Sequence, residues 1–240
     1  RCPTELGSGS ANYASGGAMK LTVDGVVTNN GTITSQGSGG TTGSSGGSVW
    51  IVATNIVGTG VISAKGGNGS DGKWSSQNVG GGGGRISLKL TDPAATFGDF
   101  GGTVTAAGGY NKEYTGASPK TRVPCSSAGA GTVYRETAAE AAGQGSLEIA
   151  QDTEDYCAIL PTEITPEMTE TDVGDVTVSN RAWLCVRKGA TLTVRGDFTN
   201  LQQPDLDLGD ISDGTLEAGS VVFADAARVS RVTGTNRFAR

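Results

Sequence analysis

The sequence predicts an all-β fold of stacked parallel coils, a β-solenoid. Three observations carry that expectation. Glycine supplies 40 of the 240 residues, while aromatics make up 5% and hydrophobic residues 35%, which suits a thin core of small aliphatic side chains better than a broad globular one. A Gly-rich turn followed by a β-type strand recurs four times before residue 152. Within those strands apolar and polar residues alternate with period two.

The four copies are GGAMKLTV (16–23), GGSVWIVA (46–53), GGRISLKL (83–90) and GAGTVYRE (129–136). In the first, Met19, Leu21 and Val23 face one side while Lys20 and Thr22 face the other; in the third, Ile86, Leu88 and Leu90 alternate with Ser87 and Lys89. A second short strand follows each copy: GTITSQG (31–37), GVISAKGG (60–67), GTVTAAGG (102–109) and GSLEIAQ (145–151). These strands place inward Ile33, then Ile62 with Ala64, Val104 with Ala106, and Leu147 with Ile149. One such coil cannot bury its apolar side alone, and stacking like on like builds a continuous narrow core. The corner glycines are Gly17, Gly47, Gly84 and Gly131. Glycine is expected there because it reaches φ > 0 freely and lets coils approach closely. The run Gly80 to Gly84 is then one such corner.

Residues 1–156 are read as Gly-rich coils, and 157–240 as a second β-solenoid segment, either continuous with the first or a small β domain. In the second part Val176-Thr177-Val178, Leu184-Cys185-Val186 and Leu192-Thr193-Val194 recur every 8 residues, separated by turn-prone Asn180 and Gly189, and Leu216 follows Leu192 by 24 residues. That spacing suggests three strands per turn of the solenoid. Helix is scarce: ETAAEAA at 136–142, ended by Gly143, would give about two turns. The stretch 158–175, with two prolines and no basic residue, reads as an extended linker.

Composition also excludes function classes. There is no histidine, so triads and zinc sites built on it are ruled out. The net charge of −6 argues against a nucleic-acid surface. No apolar run is long enough to span a bilayer. The four cysteines, Cys2, Cys125, Cys157 and Cys185, form no C-x-x-C pair. Two disulfides in an oxidising, extracytoplasmic compartment are expected instead, and Cys157–Cys185 with Cys2–Cys125 is preferred among the three pairings because each ties down an irregular segment. The start at Arg1-Cys2 suggests a processed piece of a larger exported precursor.

GGAMKLTVDGVVTNNGTITSQGSGG, GGSVWIVATNIVGTGVISAKGGNGS and GGGGGRISLKL resemble the Gly-rich coils of large secreted bacterial and archaeal surface proteins, similar in architecture to adhesins of the filamentous-haemagglutinin type. GATLTVRGDFTN and GTLEAGSVVFADAARVSRVTGTNRF resemble later solenoid repeats of the same proteins. The resemblance covers most of the chain and implies a right-handed parallel β-helix with an exported location.

Candidate chemistry is sparse. A phosphate cradle needs glycines between a strand and a helix, whereas Gly80 to Gly84 precede a strand. GGNGSDGKW (66–74) approaches a calcium turn around Asp71, but Lys73 stands where a large apolar residue belongs and no second copy follows. Asp205, Asp207, Asp210 and Asp213 offer oxygen ligands, and a solvated acidic loop is the preferred account of them. No cofactor is expected beyond this weak calcium option. Asn30 and Asn68 head N-x-S/T sequons open to glycosylation. Nine acids and no base lie between Glu148 and Asp175, Glu154 and Asp155 among them, while Arg228, Arg231, Arg237 and Arg240 lie near the C-terminal end. Such a layout reads first as a solubilising acidic loop and a basic tail, and otherwise as complementary contact between neighbouring copies.

A solenoid's open ends expose strand edges and core, and neither end shows an amphipathic cap. The expectation is therefore a non-enzymatic structural subunit of an extracellular filament, sheath or adhesive surface fibre. Its partners would be copies of itself joined head to tail, with glycans or neighbouring cells as further contacts. The alternatives are a secreted carbohydrate-binding or carbohydrate-cleaving β-helix and a stalk module of a giant adhesin.

Overall fold

The computed structural model describes residues 2–10, 12–69, 80–110, 127–152, 158 and 160–201, and the strand backbones at 215–223 and 236–238. The first half of the chain contains β1 (Ala18–Thr28), β2 (Thr32–Thr34), β3 (Ser48–Val57), β4 (Val61–Ser63), β5 (Arg85–Leu90), a 3-10 turn at Phe97–Asp99, β6 (Thr103–Thr105) and β7 (Thr132–Glu136); each long strand with the short strand after it is termed a coil. Strands β1, β3, β5 and β7 pair in parallel in that order, and β2, β4 and β6 form a second parallel ladder. The period-two pattern sets the register: Met19, Val49, Ile86 and Val133 stand in one row, and Leu21, Ile51 and Leu88 in the next. Ile33, Ile62 and Val104 face them from the second ladder. Each aliphatic side chain fully buried in this core contributes about 1.5–3 kcal/mol.

Between the second strand of one coil and the first of the next, the chain runs out and back in glycine-rich arms. Residues 65–69 exchange backbone hydrogen bonds with four other segments: 37–40, Ser44, Gly81 and 107–110. A flat strand has two neighbours, so the arms pack as a lattice of extended backbone in three dimensions. That packing leaves little room for side chains. A Cβ at Gly66, Gly67, Gly80, Gly81, Gly83 or Gly84 would lie less than 3 Å from backbone atoms of an adjacent segment. At Gly82 the nearest atom would be the Ser45 hydroxyl, at 3.7 Å. The conformational half of the glycine expectation is corrected here. The positive-φ glycines among the described residues are Gly58, Gly143 and Gly189, and none of the four corner glycines is among them. Close approach is what those corners require.

The fourth repeat departs from the plan. Its second strand, β8 (Ser146–Ala150), does not extend the β2–β4–β6 ladder; it folds back antiparallel onto β7. A buried carboxylate network holds the turn between them. Glu136 accepts from the Tyr134 hydroxyl (2.6 Å) and the Gly143 amide (2.8 Å) and pairs with Lys89, while the Gly145 amide donates to the Tyr134 oxygen (2.9 Å). The helix expected at 136–142 is absent. Thr137–Glu140 forms a turn instead, closed by hydrogen bonds from Thr137 to the Glu140 carboxylate.

This antiparallel seam moves the core to the other face of the sheet. Val133 packs in the first core, whereas its neighbour Tyr134, directly opposite Leu147, packs in the second. Beyond the seam come β9 (Thr162–Ile164), β10 (Asp172–Val173), β11 (Val176–Ser179), β12 (Leu184–Val186), β13 (Thr191–Asn200), β14 (Thr215–Phe223) and β15 (Asn236–Phe238). Pairing from β8 onward is parallel again, and Leu192 stands opposite Leu216 as their spacing suggested. The rungs divide elsewhere than expected, because Val176 pairs with Phe198 and so belongs with β9 and β10 in the earlier coil. The stretch 158–175 is no linker, since it supplies two of those strands. The all-β expectation stands. The main sheet is ten-stranded and mixed, with β1 at one edge and β15 at the other.

Candidate functional site

The surface that stands out is the open side of the first coil. Strand β1 is long, 11 residues, and among the described residues it pairs only with β3. Met19, Leu21, Val23, Val27 and Ile33 are half-buried, whereas their partners one coil on, Val49, Ile51, Ala53, Ile56 and Ile62, are no more than 1% exposed. Val26, on the same strand, is 54% exposed. The difference comes from stacking: each later coil is covered by its predecessor, and this coil has no cover among the described residues.

The glycines carry the same message. A Cβ on Gly47 would lie less than 3 Å from the Gly17 carbonyl oxygen, one on Gly84 from that of Gly47, and one on Gly131 from that of Gly84. Gly17 itself has nothing within 4 Å of its Cβ position among the described residues. The preceding residues repeat the theme in the opposite direction. A Cβ on Gly16, Gly46 or Gly83 would lie within 3 Å of the amide nitrogen of Gly47, Gly84 or Gly131. In the fourth copy that place is held by Ala130, where β8 reverses and the parallel Ser127–Ala158 bridge and the Thr162 hydroxyl on the Ala130 carbonyl take the place of another Gly-Gly strand. Among the described residues, Gly17 alone in the column of corner glycines has no such neighbour.

A groove of about 540 Å³ runs between the N-terminal segment and residues 162–170, with Arg85, Tyr134, Glu163, Glu167 and Glu170 among its lining residues. Glu163 is paired with Arg187. At the seam, burial pushes the Glu136 carboxyl up, but hydrogen bonds from Lys89, Tyr134 and the Gly143 amide, with the Lys89 charge, outweigh it and hold the group below its usual value.

The sequence-predicted sites are scattered. Asp71, Asp205, Asp207, Asp210, Asp213, Cys125, Cys157, Glu154, Asp155, Arg228, Arg231 and Arg240 lie outside the described residues, and Arg237 lies on β15. Cys2 is exposed at the groove and Cys185 is buried on β12, so each preferred disulfide has one member outside the description. Asn30 is exposed, its side-chain oxygen accepting from the Thr59 amide at 3.2 Å, and that of Asn68 accepts from the Tyr110 amide at 3.1 Å. Trp50 is covered by the Lys20 ammonium, 4.0 Å from the ring centroid. Among the described residues no group of three or more Cys, Asp or Glu side chains could hold a metal ion, and no helix is long and apolar enough to cross a membrane.

No family model, curated protein or solved structure matches the chain.

Proposed function

We propose that this chain is a non-enzymatic structural subunit of an extracellular filament, sheath or adhesive surface fibre, whose right-handed parallel β-helix coils stack end to end between copies. The observation that supports it most is the open first coil, with its half-buried Met19, Leu21, Val23 and Val27 beside a long strand edge that is unpaired among the described residues. An exposed edge of this length and apolarity is a template for strand addition. Heterologous stacking that does not close gives an open fibre. Electron micrographs and sedimentation across a concentration series test the reading. Fibres lengthening with concentration are expected, and dispersed monomers under all conditions would overturn it.

The groove lined by Arg85, Tyr134 and Glu167 favours a second reading, a carbohydrate-binding or carbohydrate-cleaving secreted module. Incubation with a polysaccharide panel, with and without calcium, separates the two. Reducing ends, unsaturated products or saturable binding would support the second.

A further inference from the structure

We infer that the partner on the open side of β1 is the far edge of the same sheet in a second copy, and that Gly17 is the residue that admits it. The inference rests on the assembly reading and adds to it the contacting strand, the residue that gates it and the relation between copies.

The glycine column supplies the first step. Its repeat places the carbonyl of each corner glycine against the bare Cα of the next, with the following amide donating to that carbonyl: Ser48 to Gly17 at 2.9 Å, Arg85 to Gly47 at 2.8 Å and Thr132 to Gly84 at 3.0 Å. Extended one rung outward, the same geometry puts a carbonyl of the incoming strand against Gly17. A Cβ at 17 would enter that space while meeting nothing within 4 Å among the described residues. The incoming strand must also lack a side chain where it meets the Gly17 amide, as Gly16, Gly46 and Gly83 do toward the next rung.

The second step identifies the strand. Strand β15 is the other edge of the sheet and lies parallel to β14, with Leu216 opposite Asn236 and Ala218 opposite Phe238. In the sequence Gly234-Thr235 precedes β15 as Gly214 precedes β14. The far edge of a second copy thus presents a short strand with a glycine, Gly234, two residues before it in sequence, which is the residue type the column demands. Main-chain pairing at such an edge gives affinity, and the side-chain-free position gives selectivity.

The third step follows from the seam. Because β7 and β8 are antiparallel while the other ladder pairs are parallel, β1 and β15 run in opposite directions across the sheet. A parallel contact between β15 of one copy and β1 of the next therefore turns successive copies by about half a revolution about the stacking axis, added to the ordinary sheet twist.

The test compares the full chain with Gly17→Val and Gly17→Ala, each monitored by thermal melting and by assembly. Unchanged melting with assembly reduced by about tenfold or more, as expected when a backbone ladder is blocked, supports the inference. So do averaged images in which neighbouring copies alternate by a half-turn. Assembly of a folded Gly17→Val chain at the wild-type level overturns it. A synthetic peptide of residues 230–240 and its Gly234→Val variant form an independent arm. If the wild-type chain stays monomeric, the assembly reading falls, yet glycine-dependent peptide binding to wild type and not to Gly17→Val would still uphold the edge contact. Absence of peptide binding in that case would overturn both. If Gly17→Val melts early, Gly17→Ala takes its place in the comparison.

Discussion

The carbonyl oxygen of Gly84 occupies the space that a Cβ on Gly131 would need. The same holds between Gly47 and Gly84, and between Gly17 and Gly47, so the corner glycines are required by neighbours far away in sequence. This separates the members of the run Gly80 to Gly84. Gly83→Ala, Gly84→Ala and Gly131→Ala should each destabilise the chain by about 1–3 kcal/mol, the usual range for overpacking. Gly82→Ala, whose new methyl meets nothing closer than 3.7 Å, should change stability by about 0.5 kcal/mol or less. Urea denaturation of the four variants checks this; equal effects at 82 and 84 would sink the packing explanation.

Tyr134 and Glu136 clamp the turn that reverses the chain. Tyr134→Phe removes both the donor to Glu136 and the acceptor for the Gly145 amide, leaving a backbone group unsatisfied at about 1–3 kcal/mol. Thermal melts should show that loss, and a Tyr134→Phe chain as stable as wild type would contradict the clamp.

The same carboxylate predicts a pH dependence. Glu136 is held below its ordinary pKa in the folded chain, so the unfolded chain binds its proton first. Its stabilising contribution is complete above the unfolded value, about 4.3, and is lost as pH falls through the lower folded value. Melting curves between neutral pH and about pH 3 should therefore fall more steeply for wild type than for Glu136→Gln. Parallel curves would show that Glu136 is not the group responsible.

Much of the first three coils was legible in the sequence because one local unit repeats with a fixed alternation. Met19, Val49 and Ile86 stand in register as their positions after each Gly-Gly doublet imply. The fourth repeat misled for a physical reason. GSLEIAQ alternates like its counterparts, but whether it continues a ladder or folds back depends on the turn at 137–145, and that turn is fixed by contacts of Glu136 and Tyr134. The helix-forming alanines at 138–142 lost to the same network. Strands β9 and β10 were hidden because Pro161, Pro166 and a row of acids resemble linker composition, while their pairing comes from β12 and β13. At the candidate site, Gly17 was visible as a corner, but its lack of a neighbour is a property of the stack.

The cysteines give a chemical check on the expected compartment. The Ala158 amide donates to the Arg181 carbonyl at 3.1 Å, while Cys157 itself lies outside the described residues. If Cys157–Cys185 and Cys2–Cys125 are the bonds, alkylation under denaturing, non-reducing conditions should add no mass, and reduction should lower stability by about 2–4 kcal/mol per bond. Four alkylated thiols would contradict the expectation.

The most direct test of the central claim is residue-resolved hydrogen exchange along β1 as concentration rises. In a parallel edge strand alternate amides face away from the only neighbour, so every second amide of Ala18–Thr28 should exchange rapidly in dilute solution. Stacking predicts that these amides become protected as assemblies form, while those of the interior strands β3 and β5 stay protected throughout. Outward β1 amides that exchange equally fast in monomer and assembly would contradict the account.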